Sequence, residues 1–248
     1  MTKLYPVLIF AIIIAIIFIK HDWRRLFRCV LIFAAVCLLT ELPFLINDAS
    51  TAFAYMDYHS DRGLQIQAMI TSVFLLYNLI VPGSITVANS YYSDNIVNPV
   101  ADAIASYMNL LIVIAIVSFG VWILLRMRNI RDSDEKMKMC FTLIPIIVMI
   151  FIVFSKVYSA QYIIWVVTLL PLVYLPLLTD SETWKLTMVY LGWGVFQFIE
   201  ETYTYGMLCD LNPVAVLVTI LKNAFLVILL AHLISVFQRH SAIISRDR

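Results

Sequence analysis

Charge is what this chain has least of. Lys, Arg, Asp and Glu make up 13% of its 248 residues, against about 25% in a soluble globular protein. There is no glycine-rich phosphate loop, no HExxH pair and no GxSxG elbow, so the familiar soluble-enzyme signatures are missing. Cys29, Cys37, Cys140 and Cys209 lie among apolar segments without metal-like spacing and read as small core residues. A net charge of +1 gives no support for nucleic acid as a partner. No small-x-small cleavage site follows the first apolar segment, so a cleavable signal peptide is not expected.

Apolar residues fill the gap. They are 62% of the chain, and the mean hydropathy is +0.93. One core cannot hide that much apolar surface from water, so lipid is the expected solvent. The runs of Ile, Leu, Val and Phe do not alternate in polarity, which excludes a transmembrane β-barrel. The fold class expected is all-α, a polytopic transmembrane helical bundle forming one membrane domain over residues 1–248. Seven apolar segments read as spans: Leu4–Ile19, which is short and needs its flanking residues to snorkel, Leu26–Ile46, Ile104–Leu125, Met139–Phe154, Tyr162–Leu178, Leu186–Tyr205 and Val214–Phe237. Leu64–Val81 is ambiguous.

Basic residues set the orientation. Lys20, Arg24, Arg25 and Arg28 crowd one loop, Arg126, Arg128, Arg131, Lys136 and Lys138 another, and Arg239, Arg246 and Arg248 the tail. All three belong in the cytoplasm, with the N-terminus external and the C-terminus cytoplasmic. Two cytoplasmic loops need an even number of crossings between them. Leu26–Ile46 and Ile104–Leu125 already supply two, so Leu64–Val81 is expected to lie in the external interface or to enter and return. A full crossing that breaks the charge rule is the alternative. The external polar segments are then 47–67, 82–102 and 155–162.

Two of these segments combine groups suited to a phosphate or sugar. Tyr58, His59, Asp61, Arg62 and Gln65 place an imidazole, a carboxylate and a guanidinium together; arginine offers a planar fork that matches phosphate oxygens. Ser155, Lys156, Tyr158, Ser159, Gln161 and Tyr162 interrupt a long apolar run. A solvated loop with Arg62 paired to Asp61 or to lipid head groups is the plainer reading. Lys222 is sharper still. It sits nine residues past Pro213 in an apolar helix, a costly place for a cation. Either it pairs with Glu41, Glu200 or Glu201, or it snorkels, or it adds a cation below a bound phosphate. Gly192-Trp193-Gly194 is expected to let two helices approach closely. Pro171 and Pro176 are expected to bend the helix that carries them.

The string Phe154-Ser155-Lys156-Val157-Tyr158-Ser159-Ala160-Gln161-Tyr162, with Trp165 and Leu169-Leu170-Pro171-Leu172 after it, resembles a motif of GT-C fold glycosyltransferases. The likeness is to glycosyltransferase family 87, the polyprenyl-phosphate-mannose type, and to the catalytic subunit of eukaryotic GPI mannosyltransferase I. Tyr58-His59 followed by Arg62-Gly63-Leu64-Gln65 resembles an external segment of family 87, although Ala68 follows Gln67 where that family often has Glu-Ser. The resemblance implies transfer of a hexose, mannose in the nearest members, from a polyprenyl-phosphate-sugar to an extracytoplasmic acceptor. It implies that Arg62 and Lys156, with Lys222 below them, hold the donor phosphate. Tyr58, His59, Gln65, Ser159, Gln161 and Tyr162 would line the site. No cofactor is demanded, and a divalent cation is left open. Family members have about twice as many spans and an essential Asp in the first external loop, often in an acidic pair. This chain resembles only their C-terminal half, so either a separate N-terminal-half membrane subunit completes it and supplies the catalytic carboxylate, or the chain is a truncated or repurposed relative. A non-catalytic lipid-binding subunit and a head-group transporter are the alternatives.

Overall fold

The computed structural model describes residues 10, 13, 14, 17, 22–48, 61–127, 130, 132–170 and 178–246. Two compact units divide the chain, Met1–Asp61 and Arg62–Arg248. Tyr58, His59, Pro171 and Pro176 lie outside the described residues, as does most of Leu4–Ile19.

In the first unit, α1 runs Trp23–Asn47 and buries none of its residues. Its N-cap is Asp22, whose Oδ1 accepts the Arg25 N–H at 3.0 Å. Thr40 hides its hydroxyl by donating back to the Val36 and Cys37 carbonyls at 3.0 and 2.8 Å, which removes a free polar group from an otherwise apolar helix.

The second unit holds the site. Its elements are α2 (Thr71–Ile80), the hairpin strands β1 (Thr86–Ser90) and β2 (Ser93–Val97), α3 (Pro99–Met127), α4 (Ser133–Phe154) and α5 (Tyr162–Leu169). They continue with α6 (Asp180–Ile199), a π-turn (Glu200–Thr204), α7 (Tyr205–Cys209) and α8 (Pro213–Arg246). The ends are written into the sequence. Asn98 and Asn212 each cap a helix that opens on proline, with side-chain oxygens accepting the Val100 and Val214 N–H groups at 2.8 and 3.0 Å. Thr179 and Glu182 make a capping box at the start of α6. Asp132 caps α4.

Four helices among the described residues are long and apolar enough to cross a membrane: α1, α3, most of α4 and most of α8. The all-helical character expected from the sequence is there. α6 is 20 residues long but opens with Asp180, Glu182 and Lys185. α5 is described for 8 residues only. α2 has 10 residues and rises about 15 Å, half the thickness of a hydrocarbon core.

α4 is the central helix, with Met139, Leu143, Ile146, Met149 and Ile152 buried against its neighbours. α6 and α8 run side by side. A Cβ on Gly192 would stand 2.5 Å from Phe225 Cε1, so the expected close approach is real and glycine is what allows it. At one end of this pair Arg239 of α8 forms an ion pair with Glu182 of α6. At the other end an apolar cluster packs the hairpin and α2 onto the starts of α3 and α8. Its residues include Leu64, Ile66, Leu75, Ile96, Ala101, Leu208 and Val216.

The hairpin departs from the all-helical expectation. Tyr91 and Tyr92 form a two-residue turn, and both have φ of 54°. That is the twist a tight hairpin needs, but it is usually supplied by Asn-Gly. Residues 64–66 extend the sheet. Ile96 N–H donates to the Leu64 carbonyl and Ile66 N–H to the Asp94 carbonyl, each at 2.9 Å. Gly63 lies close against the sheet, where a Cβ would be 3.3 Å from Asn95 Cβ.

Candidate functional site

The strand-like segment 62–67 is held on two sides. One side pairs with β2. On the other, Gln65 N–H donates to the Lys156 carbonyl at 2.9 Å, and Gln65 Oε1 accepts the Tyr158 N–H at 2.7 Å. A single glutamine therefore joins two polar segments more than ninety residues apart in the chain. Arg62 is near enough to Tyr162 for its charge to act on the phenol.

Ser155 to Gln161 form the link between α4 and α5. Ser155 Oγ donates to the Val157 carbonyl at 2.8 Å and turns the chain at the helix end. Lys156 and Tyr158 are buried, at 4% and 2% exposure. Tyr158 meets Tyr162 edge to face, ring centroids 5.6 Å apart. Gln161 precedes the first turn of α5 and is exposed, and Ser159 is half-buried. Gln65, Lys156, Ser159, Gln161 and Tyr162 thus gather at one end of the bundle, with Arg62 on the adjoining segment.

Lys222 lies behind this group, wholly buried. Its ammonium donates to Glu200 Oε2 at 2.5 Å and to the Gln67 carbonyl at 3.3 Å, and stands 4.0 Å from the centroid of the Tyr158 ring. Of the roles the sequence left open, the geometry matches the ion pair with Glu200. With its ammonium so engaged, Lys222 reaches the site through Tyr158 and Gln67 rather than by facing an open space.

Glu200 is equally committed. Its Oε1 accepts from Thr219 Oγ1 at 2.6 Å, and its Oε2 accepts from Gln67 Nε2 at 3.0 Å besides Lys222. The same Gln67 amide donates to Glu201 Oε1 at 2.8 Å. Gln197 Nε2 donates to that oxygen at 2.9 Å, and Gln197 Oε1 accepts the Tyr158 hydroxyl. The π-turn is what brings two consecutive glutamates onto one amide. Such turns occur often at functional sites.

Sequence reasoning offered Glu41, Glu200 or Glu201 as partners for Lys222, of which the geometry selects Glu200, and it assigned no role to Gln197 or Thr219. The signal for them was present. Gln197, Glu200 and Glu201 are polar residues closing an apolar helix, where each needs a partner.

A second polar knot fastens the hairpin. Asp94 accepts from Asn89 at 2.9 Å and from Tyr205 at 2.6 Å. The Tyr205 and Asn89 hydrogen bonds, with a smaller one from Cys209, hold the Asp94 carboxyl below its ordinary range although burial opposes them. Burial first, then the Asp94 charge, pushes the Cys209 thiol up to about 11. Among the described residues no group of three or more His, Cys, Asp or Glu could hold a metal ion.

No family model, curated protein or solved structure matches this chain.

Proposed function

We propose that the chain is a membrane glycosyltransferase, or the C-terminal half of one, that moves a hexose from a polyprenyl-phosphate donor to an acceptor. One observation carries this reading: Gln65 binds the Arg62 segment to the Lys156 loop. Both cations, with the amide and hydroxyl groups suited to sugar hydroxyls, then belong to one site. A leaving phosphate gathers negative charge as its bond to the sugar breaks, and fixed cations beside it stabilise that charge. Mannose is the hexose that the resemblance of residues 154–172 implies.

The orientation belongs to the same proposal. Segments 62–67, 82–102 and 155–162 share one end of the second unit, and the ion pair of Arg239 lies at the other. The charge rule would make the first end extracytoplasmic. Helix α2 would rest in that interface. Its exposed side carries Val73, Leu76, Tyr77 and Ile80, an i, i+3, i+4, i+7 stripe that suits lipid. Seven crossings remain the expected count.

The test uses the full chain in lipid nanodiscs. Arg62→Ala and Lys156→Ala should each weaken binding of polyprenyl phosphate at least tenfold and abolish transfer from polyprenyl-phosphate-mannose, with the fold intact by circular dichroism. Unchanged binding in both variants removes the site. Cysteines introduced at 62 and at the exposed position 161 of the Lys156 loop should both react with an impermeant maleimide from the same side. Labelling from opposite sides removes the orientation.

A further inference from the structure

We propose that Glu201 is the base that accepts the acceptor's hydroxyl proton, so that this chain carries its own catalytic carboxylate. The proposal rests on the glycosyl-transfer reading above and takes the place of the separate subunit that the resemblance left open as a source of the group.

Asp94 has Asn89 on Oδ1 and Tyr205 on Oδ2. Glu200 has Thr219 on Oε1, and Lys222 and Gln67 on Oε2. Both are engaged on both oxygens. Asp102 and Asp210 are exposed, and no side chain among the described residues holds them. Among the described carboxylates at this end of the second unit, Glu201 is the one both anchored by side chains and open. Its two donors, Gln67 and Gln197, converge on Oε1. Oε2 takes no hydrogen bond among the described residues, and the residue is exposed.

The anchoring points at the phosphate loop. Gln197 also accepts from Tyr158, two residues past Lys156. Gln67 is contacted at 3.4 Å by Gln65, which holds the Lys156–Tyr158 backbone. Two short chains of side chains thus run from Glu201 to the cationic loop, and each amide fixes the carboxylate through a buried contact of its own. A reacting group locked by supporting hydrogen bonds on rigid elements is what precise proton transfer needs. The charges fit as well. Lys222 pairs directly with Glu200, whereas Glu201 makes no ion pair among the described residues.

The step balances. A lone pair of the acceptor hydroxyl oxygen forms the bond to the anomeric carbon. The bond from that carbon to the phosphate oxygen breaks, and its electron pair leaves with polyprenyl phosphate beside Arg62 and Lys156. The hydroxyl proton passes to Glu201 Oε2. The phosphate needs no proton from the protein.

The experiment takes the full chain in nanodiscs with polyprenyl-phosphate-mannose as donor and octyl mannoside as acceptor. Binding of polyprenyl phosphate is measured separately. Glu201→Gln keeps an oxygen for Gln67 and Gln197 but cannot take a proton. It should lower kcat at least about 100-fold, leave lipid-phosphate binding within twofold of wild type, and erase the acid limb of the pH profile. Glu201→Asp should recover part of the rate. Retention of kcat within threefold in Glu201→Gln overturns the proposal. So does a wild-type chain that binds polyprenyl phosphate but transfers nothing, since the base then lies elsewhere. A wild-type chain that does not bind polyprenyl phosphate removes the reading beneath the proposal, and the proposal with it.

Discussion

Replacing Lys222 by methionine isolates the one fully buried ion pair among the described residues. Methionine keeps most of the apolar stem and loses only the ammonium. Glu200 then keeps its bonds from Thr219 and Gln67 but loses the cation at 2.5 Å. Gln67 loses a partner for its carbonyl, and the Tyr158 ring loses the charge above its face. Both partners have 0% side-chain exposure, so water cannot replace what is lost. Removing one member of such a pair costs about 3–5 kcal/mol, because the remaining charge is stranded. Removing both is different. Lys222→Met with Glu200→Met leaves no charge behind, and such double replacements are often neutral or stabilising by about 1–4 kcal/mol.

Four proteins close the cycle: wild type, each single variant and the double. Stability is read by denaturant titration of the reconstituted chain, following tryptophan fluorescence. Each single variant should lose at least about 3 kcal/mol. The double should recover at least about 2 kcal/mol relative to the sum of the singles, which is the coupling expected of direct partners. Additive losses, or a Lys222→Met cost under about 1 kcal/mol, would mean that the pair is solvated or swaps partners, and the reasoning from burial would be wrong.

Three other outcomes follow from particular contacts. Gly192→Ala should destabilise by about 1–3 kcal/mol through overpacking against Phe225, and Phe225→Leu should relieve most of that loss in the same titration. In a variant whose remaining cysteine is Cys209, maleimide labelling at pH 8 should run about 100-fold slower than for an ordinary thiol, the ratio of thiolate implied by about 11 against 9.0. Asp94→Asn should speed that labelling. Because hydrogen bonds lower the Asp94 carboxyl in the folded state, the hairpin's attachment is stable above pH 3.8 and weakens only as acid protonates Asp94 in place, below that value. Protection factors for the amides of residues 86–97 should therefore hold down to pH 3.8 and fall beneath it, and Asp94→Asn should abolish that fall.

The sequence made the helices legible because a membrane chain cannot hide its apolar runs. Asn98-Pro99 and Asn212-Pro213 even mark where two of them start. An anionic partner for Lys222 was legible as one option for the same reason, with Glu200 among three candidates, since a lysine that deep is costly unless it pairs. The hairpin was not. Tyr91 and Tyr92 supply the left-handed turn in place of Asn-Gly, so the usual signature is missing and tertiary packing through Leu64, Ile66 and Ile96 holds the shape. Gln65 was picked out as a site residue, but what makes it central is a register: one residue's shift would aim Gly63–Gln67 to the opposite sides. Composition carries no information about that register.

The same contrast explains where chemistry can sit. Among helices that share an apolar solvent, apolar contacts discriminate poorly between one arrangement and another. Polar contacts discriminate well, because each mismatch leaves a group stranded. Gln65, Gln67, Gln197, Glu200 and Lys222 come from three separate stretches of chain, and their bonds close on one another. They fix the helix ends to each other and, in doing so, fix the loop that carries Lys156. The group that orders the bundle and the group that orders the site are therefore one network. Gln67→Leu should then loosen both, lowering stability and weakening lipid-phosphate binding together, although Gln67 touches no cation of the phosphate site with its side chain. A Gln67→Leu chain that loses stability yet binds polyprenyl phosphate as wild type does would separate the two roles.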